Sequence, residues 1–217
     1  MINIVVVDDH EIIREGLVQL LQKNSHIKVI GQAENGMEAV KLCCELKPDI
    51  IIMDIGMPLL NGIDAARQIL ARNSGRTKVI ILSMYADDDT VMRSIETGVS
   101  GFILKTGASK ELLEAVFIVE KNETYLTPQV SSKVMSHIQS KTKTKEGKSG
   151  GLTSKEKHVL QLIAEGRSTK DIAKILNVSF HTAKTHRNNL MRKLNLHSVA
   201  SLTQYSIENK LISSNKP

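Results

Sequence analysis

The chain has 217 residues, of which 41% are hydrophobic, and carries a formal net charge of +6. This length and composition can form one well-packed core and a second, smaller one. No apolar stretch approaches the ~20 residues that span a bilayer, and no charged segment followed by an apolar one indicates export. We therefore expect a cytoplasmic protein with no membrane partner, and we interpret the adjacent Cys43 and Cys44 as reduced thiols.

The net charge is divided unevenly between the two halves of the chain. Residues 1–122 contain 13 Lys and Arg against 17 Asp and Glu, a balance of −4. Residues 123–217 contain 16 against 6, a balance of +10. An acidic part joined to a small, strongly basic part indicates that the basic part binds a polyanion. A basic face that is merely solvated is the alternative that charge alone leaves open.

The first half alternates short apolar runs with segments of helical periodicity. Strands are predicted at Ile2–Val7 and Ile27–Ala33, followed by three more runs that end near residues 54, 83 and 105. Helices are predicted after each strand, including one that begins at the three consecutive aspartates 87–89 and one over about 109–121. Five such units predict an α/β domain with a doubly wound, five-stranded parallel sheet.

Four of these apolar runs end at residues that can take part in chemistry. They are followed in turn by Asp8 and Asp9, by Asp54, by Ser83 and by Lys105. Because the carboxyl ends of parallel strands share one edge of a sheet, we expect these side chains to meet in one pocket. Three carboxylates in a partly dry pocket repel one another, so that their pKa values rise or a cation binds among them.

Oxygen ligands at an open edge suit Mg²⁺, which retains waters and favours phosphate oxygens. Lys105 could pair with one oxygen of an added phosphoryl group, and the Ser83 hydroxyl could bond another. A carboxylate beside Mg²⁺ and a lysine can accept a phosphoryl group, because both positive groups offset the charge that develops in the transfer.

The second half changes character at residue 123. Residues 123–150 are predicted to be a linker that includes a short helix over 128–139 and ends in a lysine-rich stretch without apolar residues. From residue 151 the period is helical, with capping-box patterns beginning at Thr153 and Ser168. A third helix over about Phe180–Leu194 and a fourth through Val199 complete the pattern of a helix-turn-helix domain over 151–217.

The third of these helices has an apolar face and a polar one. Ala183, Leu190, Met191 and Leu194 form the predicted buried face. Lys184, Thr185 and Asn188 lie at least about 90° away. Lys184 could reach guanine, the Thr185 methyl could touch a thymine, and Asn188 could pair with adenine. Five more residues are better placed for phosphate groups, which position a protein on DNA without specifying sequence: Lys170, Ser179, Thr182, Arg187 and Arg192. Residue by residue, a solvated surface charge is the alternative.

The first half resembles the receiver domain of bacterial response regulators, over residues 1–122, which implies a flavodoxin-like sheet. The resemblance rests on Asp8-Asp9, on Asp54 with the following Met57-Pro58 and Gly62, on Ser83, and on the segment 101–105. It implies that a sensor histidine kinase phosphorylates Asp54, and that Asp8 and Asp9 hold Mg²⁺ with help from Asp54 and the Gly56 carbonyl. It also implies that Lys105 and Ser83 contact the phosphoryl group and that Phe102 is a switch aromatic.

The second half resembles a LuxR-type helix-turn-helix over about 151–210, through Ala164-Glu165-Gly166, Asp171-Ile172-Ala173, Thr185-His186-Arg187-Asn188 and Lys193-Leu194. Together the two halves are similar to the NarL/FixJ family. The resemblance implies base contacts at Lys184, Thr185 and Asn188, binding to double-stranded DNA, and a homodimer on phosphorylation. The dimer contact would be the fourth helix, through Val199, Leu202 and Tyr205.

Two other classes of function compete with a DNA-binding regulator. One is an enzyme of the haloacid dehalogenase type, which is also phosphorylated on aspartate with Mg²⁺. That class needs an acidic residue two positions after the nucleophile, where this chain has Gly56. The other is a phosphorylation-dependent adaptor whose basic domain binds protein, which a salt-dependent DNA-binding assay distinguishes.

Overall fold

The computed structural model of this chain describes residues 1–73, 76–84, 87–141, 152–196, 198–209 and 211. The chain splits into two compact units. The first comprises residues 1–57 and 61–147, and the second comprises residues 148–217 with residues 58–60. Within the described ranges, each helix is too short or too polar to cross a lipid bilayer.

The first unit is a parallel sheet covered by helices, as the alternating pattern predicts. The strand order is β2-β1-β3-β4-β5-β6. The elements follow along the chain as β1 (Ile2–Val7), α1 (Glu11–Gln22), β2 (Ile27–Ala33), α2 (Gly36–Leu46), β3 (Ile50–Asp54), α3 (Gly62–Asn73), β4 (Lys78–Ser83), α4 (Asp88–Thr97), β5 (Gly101–Leu104), α5 (Ala108–Glu120), β6 (Tyr125–Leu126) and α6 (Pro128–Lys141).

The central strands are apolar on both faces because helices cover both sides of the sheet. Ile4, Val6, Ile52 and Ile80 belong to one buried cluster, which α1 and α5 complete. Val5, on the opposite face of β1, is also fully buried. This two-sided burial explains why the strands appear in the sequence as unbroken apolar runs rather than as alternating ones.

The sheet has six strands rather than the predicted five. The sixth, β6, pairs in parallel with β5, and Thr127 N donates to Phe102 O at 3.1 Å. A strand of two residues is too short to produce a recognisable apolar pattern, which is why the sequence did not indicate it. The segment 123–141, predicted as part of the linker, thus continues the first unit, and its predicted helix is α6. The lysine-rich residues 142–151 lie outside the described residues.

The second unit consists of α7 (Ser154–Ala164), α8 (Thr169–Ile175), α9 (Phe180–Leu194) and α10 (Val199–Glu208). Both predicted capping boxes are present, at Thr153 with Glu156 and at Ser168 with Asp171. Each satisfies backbone donors that the first turn of a helix leaves unpaired. The four helices share one buried cluster, which includes Leu160 from α7 and Leu190 from α9. The predicted all-helical second domain is therefore confirmed.

Candidate functional site

The chemically active residues of the first unit lie at the carboxyl ends of neighbouring strands. Asp8 follows β1, Asp54 ends β3, Ser83 ends β4 and Lys105 follows β5. β1 and β3 are paired at the point where the strand order reverses, which is where open α/β sheets place their binding sites. The topology thus brings together residues that are up to 97 positions apart in the chain.

The Lys105 ammonium group connects two of the three carboxylates. Its Nζ atom lies 2.7 Å from Asp8 Oδ2 and 3.0 Å from Asp54 Oδ1. The loop that carries it is fixed by a backbone bond from Lys105 N to Ser83 O at 2.8 Å. All three side chains are at least nine-tenths buried. Removing the charge of one of these groups would leave a partner buried and uncompensated. The charges of Asp8, Asp54 and Lys105 therefore depend on one another.

The pKa values of Asp54 and Lys105 are both raised, for different reasons. Burial raises the pKa of the Asp54 carboxyl group, the Lys105 ammonium limits the rise, and the Asp8 carboxylate adds to it. Burial by itself lowers the pKa of Lys105, but Asp54 and Asp8 outweigh it and leave that pKa above its ordinary value. Lys105 is therefore protonated at neutral pH, whereas the negative charge on Asp54 carries an electrostatic cost that a further cation would relieve.

Asp8, Asp9 and His10 together form a cluster that can hold a metal ion. One ligand atom from each lies within 4.8 Å of the others. Asp9 Oδ1 is buried and accepts no hydrogen bond from any residue that the structure describes, although His10 Nδ1 lies 2.9 Å away. An unbonded carboxylate oxygen beside a second carboxylate provides the oxygen ligands that a hard divalent cation prefers. The residues present therefore fit a cation at this edge.

The loop after β3 is shaped by glycine at two positions. A Cβ atom on Gly62 would lie 2.0 Å from the Asp54 carbonyl oxygen, a distance that no side chain can occupy. Gly62 N donates instead to Ile55 O at 3.0 Å, which closes the loop tightly. A Cβ atom on Gly56 would stand 3.8 Å from Asp54 Oδ2, so glycine there leaves one approach to the Asp54 carboxylate open.

Arg14 of α1 is a site residue that the sequence analysis did not identify. It is buried, and its Nη1 atom donates to the Asp8 carbonyl oxygen at 2.7 Å. Its Nη2 atom donates to Glu34 Oε1 at 3.1 Å. The guanidinium group thus fixes the end of β1, where the two aspartates begin. Its position three residues before Leu17, on the buried side of α1, was the only signal in the sequence.

Replacing Arg14 by methionine is expected to lower the free energy of unfolding by about 1–3 kcal/mol, because the Asp8 carbonyl loses a charged donor inside the protein. Urea denaturation followed by circular dichroism measures the change. Glu34→Gln is the matched control, since it keeps an acceptor for Arg14 and is expected to cost less than half as much. Equal losses for the two variants would contradict this account of the Asp8 carbonyl bond.

Ser83 lies on β4, the strand next to the one that Asp54 ends, and Phe102 lies on β5, one strand further along the sheet. Ser83 is buried at the end of β4, and Phe102 of β5 is fully buried. Phe102 pairs with Ile81 of β4, which lies two residues before Ser83. The Phe102 carbonyl accepts the bond from Thr127 described above, which couples this strand to the segment that leads into α6.

The outer face of α9 is polar and accessible. Ser179 caps the helix by accepting from Thr182 N at 3.0 Å, and Asn195 ends it in the left-handed conformation with φ 54°. Ala183 and Leu190 are buried on the inner face, as predicted. The three predicted base-contacting residues are all exposed: Lys184, Thr185 and Asn188.

The five residues predicted to contact phosphate differ in solvent exposure. Lys170, Ser179 and Arg192 are exposed, whereas Thr182 and Arg187 are half-buried. Both arginines make a local hydrogen bond: Arg192 Nη2 donates to Asn189 Oδ1 at 3.1 Å, and Arg187 Nη1 donates to Thr169 Oγ1 at 3.4 Å. The hydrogen bond from Lys193, at 2.8 Å, lowers the pKa of Glu156 and ties α9 to α7.

Leu202 cannot make the direct dimer contact predicted for it. Its side chain is fully buried in the cluster that α7, α8, α9 and α10 share, because it faces the core of its own domain. Tyr205 is partly buried and packs against the same cluster. Val199, at the start of α10, is 41% exposed and remains available to a partner.

Comparison with known protein families matches both units. Residues 4–117 match the family described as the response regulator receiver domain, and residues 151–206 match the bacterial regulatory proteins of the luxR family. The transcriptional regulatory protein LiaR of Bacillus subtilis is 36% identical over 212 residues, covering 98% of this chain and 100% of LiaR. The response regulator protein VraR of Staphylococcus aureus is 33% identical over 211 residues, covering 97% and 99%.

Solved structures give the same result at lower identity. A structure of the Salmonella typhimurium response regulator RcsB has a TM-score of 0.63 at 26% identity, covering 94% of this chain and 96% of that one. The structure of an RcsB–DNA complex has a TM-score of 0.57 at 25% identity, with the same coverage. This chain therefore belongs to the two-component response regulators that join a receiver domain to a LuxR-type helix-turn-helix, and it is a DNA-binding transcription regulator.

Proposed function

We propose that Asp54 is the phosphoacceptor and that its phosphorylation by a sensor histidine kinase switches DNA binding. The observation that carries this proposal is the ammonium of Lys105 held 3.0 Å from Asp54 Oδ1 and 2.7 Å from Asp8 Oδ2. In the transfer, an Asp54 oxygen attacks phosphorus while the bond from phosphorus to the kinase histidine breaks. The charge that develops on the phosphoryl oxygens then lies within reach of Lys105.

The cation of this site is proposed to be Mg²⁺, held by Asp8, Asp9, Asp54 and the Gly56 carbonyl. Support comes from the buried Asp9 oxygen that accepts no bond from the described residues and from the oxygen-rich donor set. When bound, Mg²⁺ supplies positive charge that neutralises phosphoryl oxygens. The protein's own part is to hold the carboxylates at the ends of adjacent strands, where Arg14 fixes the β1 terminus.

Ser83 and Phe102 are proposed to respond to the phosphoryl group. A hydroxyl at the end of β4 can donate to a phosphoryl oxygen that Lys105 does not contact. Movement of this strand end opens or closes space around the Phe102 ring two positions back on the neighbouring strand. Buried side chains have few alternative packings, so a small shift at Ser83 is converted into a discrete change at Phe102.

The recognition surface is proposed to be the outer face of α9. Lys184, Thr185 and Asn188 would contact bases, whereas Lys170, Ser179, Thr182, Arg187 and Arg192 would contact phosphates. Exposure of the first three residues and the strongly basic charge of residues 123–217 support this face as a DNA-binding surface. The same excess of positive charge favours any duplex, so sequence preference has to come from the base contacts.

The functional boundaries are proposed as a receiver domain at 1–122, a connecting segment at 123–150 and a DNA-binding domain at 151–217. The protein would act in the cytoplasm and form a homodimer on phosphorylation, with Val199 and Tyr205 in the dimer contact and Leu202 supporting them from the core. The acceptor of a dehalogenase-type enzyme would need an acidic side chain at Gly56, which is why phosphotransfer to a small substrate is not the function proposed.

The test of the switch is DNA affinity with and without phosphorylation. A specific duplex is first selected from a random pool, and its binding to the full chain is then titrated before and after treatment with acetyl phosphate and Mg²⁺. Phosphorylation is expected to tighten binding at least several-fold, since a dimer presents two recognition helices to one site. Equal affinity in both states would contradict control by phosphorylation and indicate a protein that binds DNA constitutively.

Asn188→Ala is expected to weaken binding to the selected duplex by roughly 1–3 kcal/mol, because an amide that reads a base is lost without a change in charge. Binding to an unrelated duplex should hardly change.

Arg192→Ala should weaken both duplexes alike and reduce the slope of log K against log salt by about one. Titrations of both variants over a salt series measure these effects.

The matched control is Asn189→Ala, the same chemical change about 100° further round the helix. It is expected to leave the preference between the two duplexes unchanged. If Asn188→Ala weakened both duplexes by the same factor, Asn188 would not be a base-reading residue.

A further inference from the structure

Phe180 is an apolar residue on the polar, solvent-exposed surface of α9. It is the first residue of α9, and 56% of its surface is exposed. Of the other two phenylalanines, Phe102 is fully buried and Phe117 packs against the core of the first unit. Among the described residues of the second unit, Phe180 belongs neither to the buried cluster nor to the side chains packed against it. Core packing therefore does not account for this residue.

The position of Phe180 on α9 is fixed by the helix start. Ser179 caps the helix through Thr182 N, so residue 180 is the first with helical geometry. At about 100° per residue, Lys184 lies only about 40° from Phe180 around the axis and about 6 Å along it. Phe180 therefore extends the proposed base-contacting face by one turn towards the helix N-terminus. Backbone N–H groups at that terminus attract phosphate and favour its approach to DNA.

The chemistry of the side chain limits what it can recognise there. A phenyl ring neither donates nor accepts a hydrogen bond, so it gains nothing from phosphate or from most base edges. The apolar group that the major groove offers is the C5-methyl of thymine. Successive bases on a strand are ~3.4 Å apart. Residue 180 precedes residue 184 by about 6 Å along the helix axis, so it lies within about two base pairs of the base that Lys184 contacts.

We propose that Phe180 is a specificity-determining residue that contacts a thymine methyl group within about two base pairs of the Lys184 contact. This inference rests on the proposed assignment of α9 as the base-reading helix. It adds an apolar contact to the hydrogen-bonding contacts of Lys184 and Asn188, and it predicts that the binding site contains a thymine which no polar side chain of α9 explains.

The first experiment is parallel selection of binding sites from one random duplex pool by the wild-type chain and by Phe180→Ala. The wild-type chain is expected to select a thymine at one position per half-site, and the variant is expected to lose that preference alone. Identical selected sequences from both proteins would overturn the inference. No sequence preference in the wild-type chain would overturn it together with the assignment of α9, so the two failures are distinguishable.

The second experiment removes only the methyl group. Replacing the identified thymine by deoxyuridine is expected to weaken wild-type binding about fourfold. This factor corresponds to the ~0.8 kcal/mol gained when one methyl group is buried. The same replacement is expected to leave Phe180→Ala binding unchanged, and Phe180→Leu is expected to keep part of the effect. Comparable binding of Phe180→Ala to an unrelated duplex shows that the variant is folded.

Two results would overturn the contact. Deoxyuridine could weaken both proteins by the same factor, which would place the methyl contact on another residue. Alternatively, Phe180→Ala could weaken every full-site duplex equally while leaving isolated half-sites unaffected, which would make Phe180 a contact between two copies of the protein.

Discussion

Asp54→Asn is expected to abolish phosphorylation by acetyl phosphate, because an amide is not a nucleophile comparable to a carboxylate. The substitution preserves shape, and Lys105 keeps its 2.7 Å contact with Asp8, so the pocket should remain folded. Intact-mass measurement after incubation with acetyl phosphate and Mg²⁺ checks the result. The wild-type chain should gain the mass of one phosphoryl group, and the variant should gain none.

Two controls make the Asp54 result specific. Asp89→Asn removes a carboxylate on α4 whose side chain is mostly exposed, and it should leave the mass gain unchanged. Chelation of Mg²⁺ with EDTA should prevent the mass gain in the wild-type chain, as the donor set of Asp8 and Asp9 predicts. A phosphoryl adduct that persisted on Asp54→Asn would assign the acceptor to another residue.

The main features of the receiver fold were predictable because the sheet is covered on both faces. Burial on both faces requires unbroken apolar runs. A polar residue that ends such a run lies at the open edge formed by the carboxyl ends of the strands. Asp8, Asp54 and Lys105 therefore meet as the sequence predicts. The second unit was predictable for a different reason, since the capping boxes at Thr153 and Ser168 are local and depend on no distant contact.

The features that the sequence did not indicate all depend on long-range packing. The two residues of β6 become a strand only because the edge of β5 is available to them. Arg14 resembles any surface arginine until the fold places Asp8 and Glu34 beside it. Leu202 shares the helical periodicity of Val199 and Tyr205, and only the packing of the four helices shows that it faces inward.

Lys105→Ala is expected to separate phosphorylation from its consequence. The substitution removes a positive charge from a pocket of carboxylates, so Mg²⁺ should bind as tightly as before or more tightly. Asp54 keeps its nucleophilic oxygen and should still accept a phosphoryl group, although more slowly. What the variant should lose is the contact between the phosphoryl group and β5, and with it the formation of the phosphorylated dimer.

Size-exclusion chromatography of the fully phosphorylated protein, with stoichiometry checked by mass, measures this loss. The wild-type chain should elute as a dimer and Lys105→Ala as a monomer at the same concentration and the same degree of phosphorylation. Lys28→Ala, which removes an exposed lysine from β2, should elute as the wild-type chain does. If phosphorylated Lys105→Ala formed the wild-type dimer, the ammonium that joins Asp8 to Asp54 would serve only to balance charge. The signal would then have to leave the pocket through Ser83.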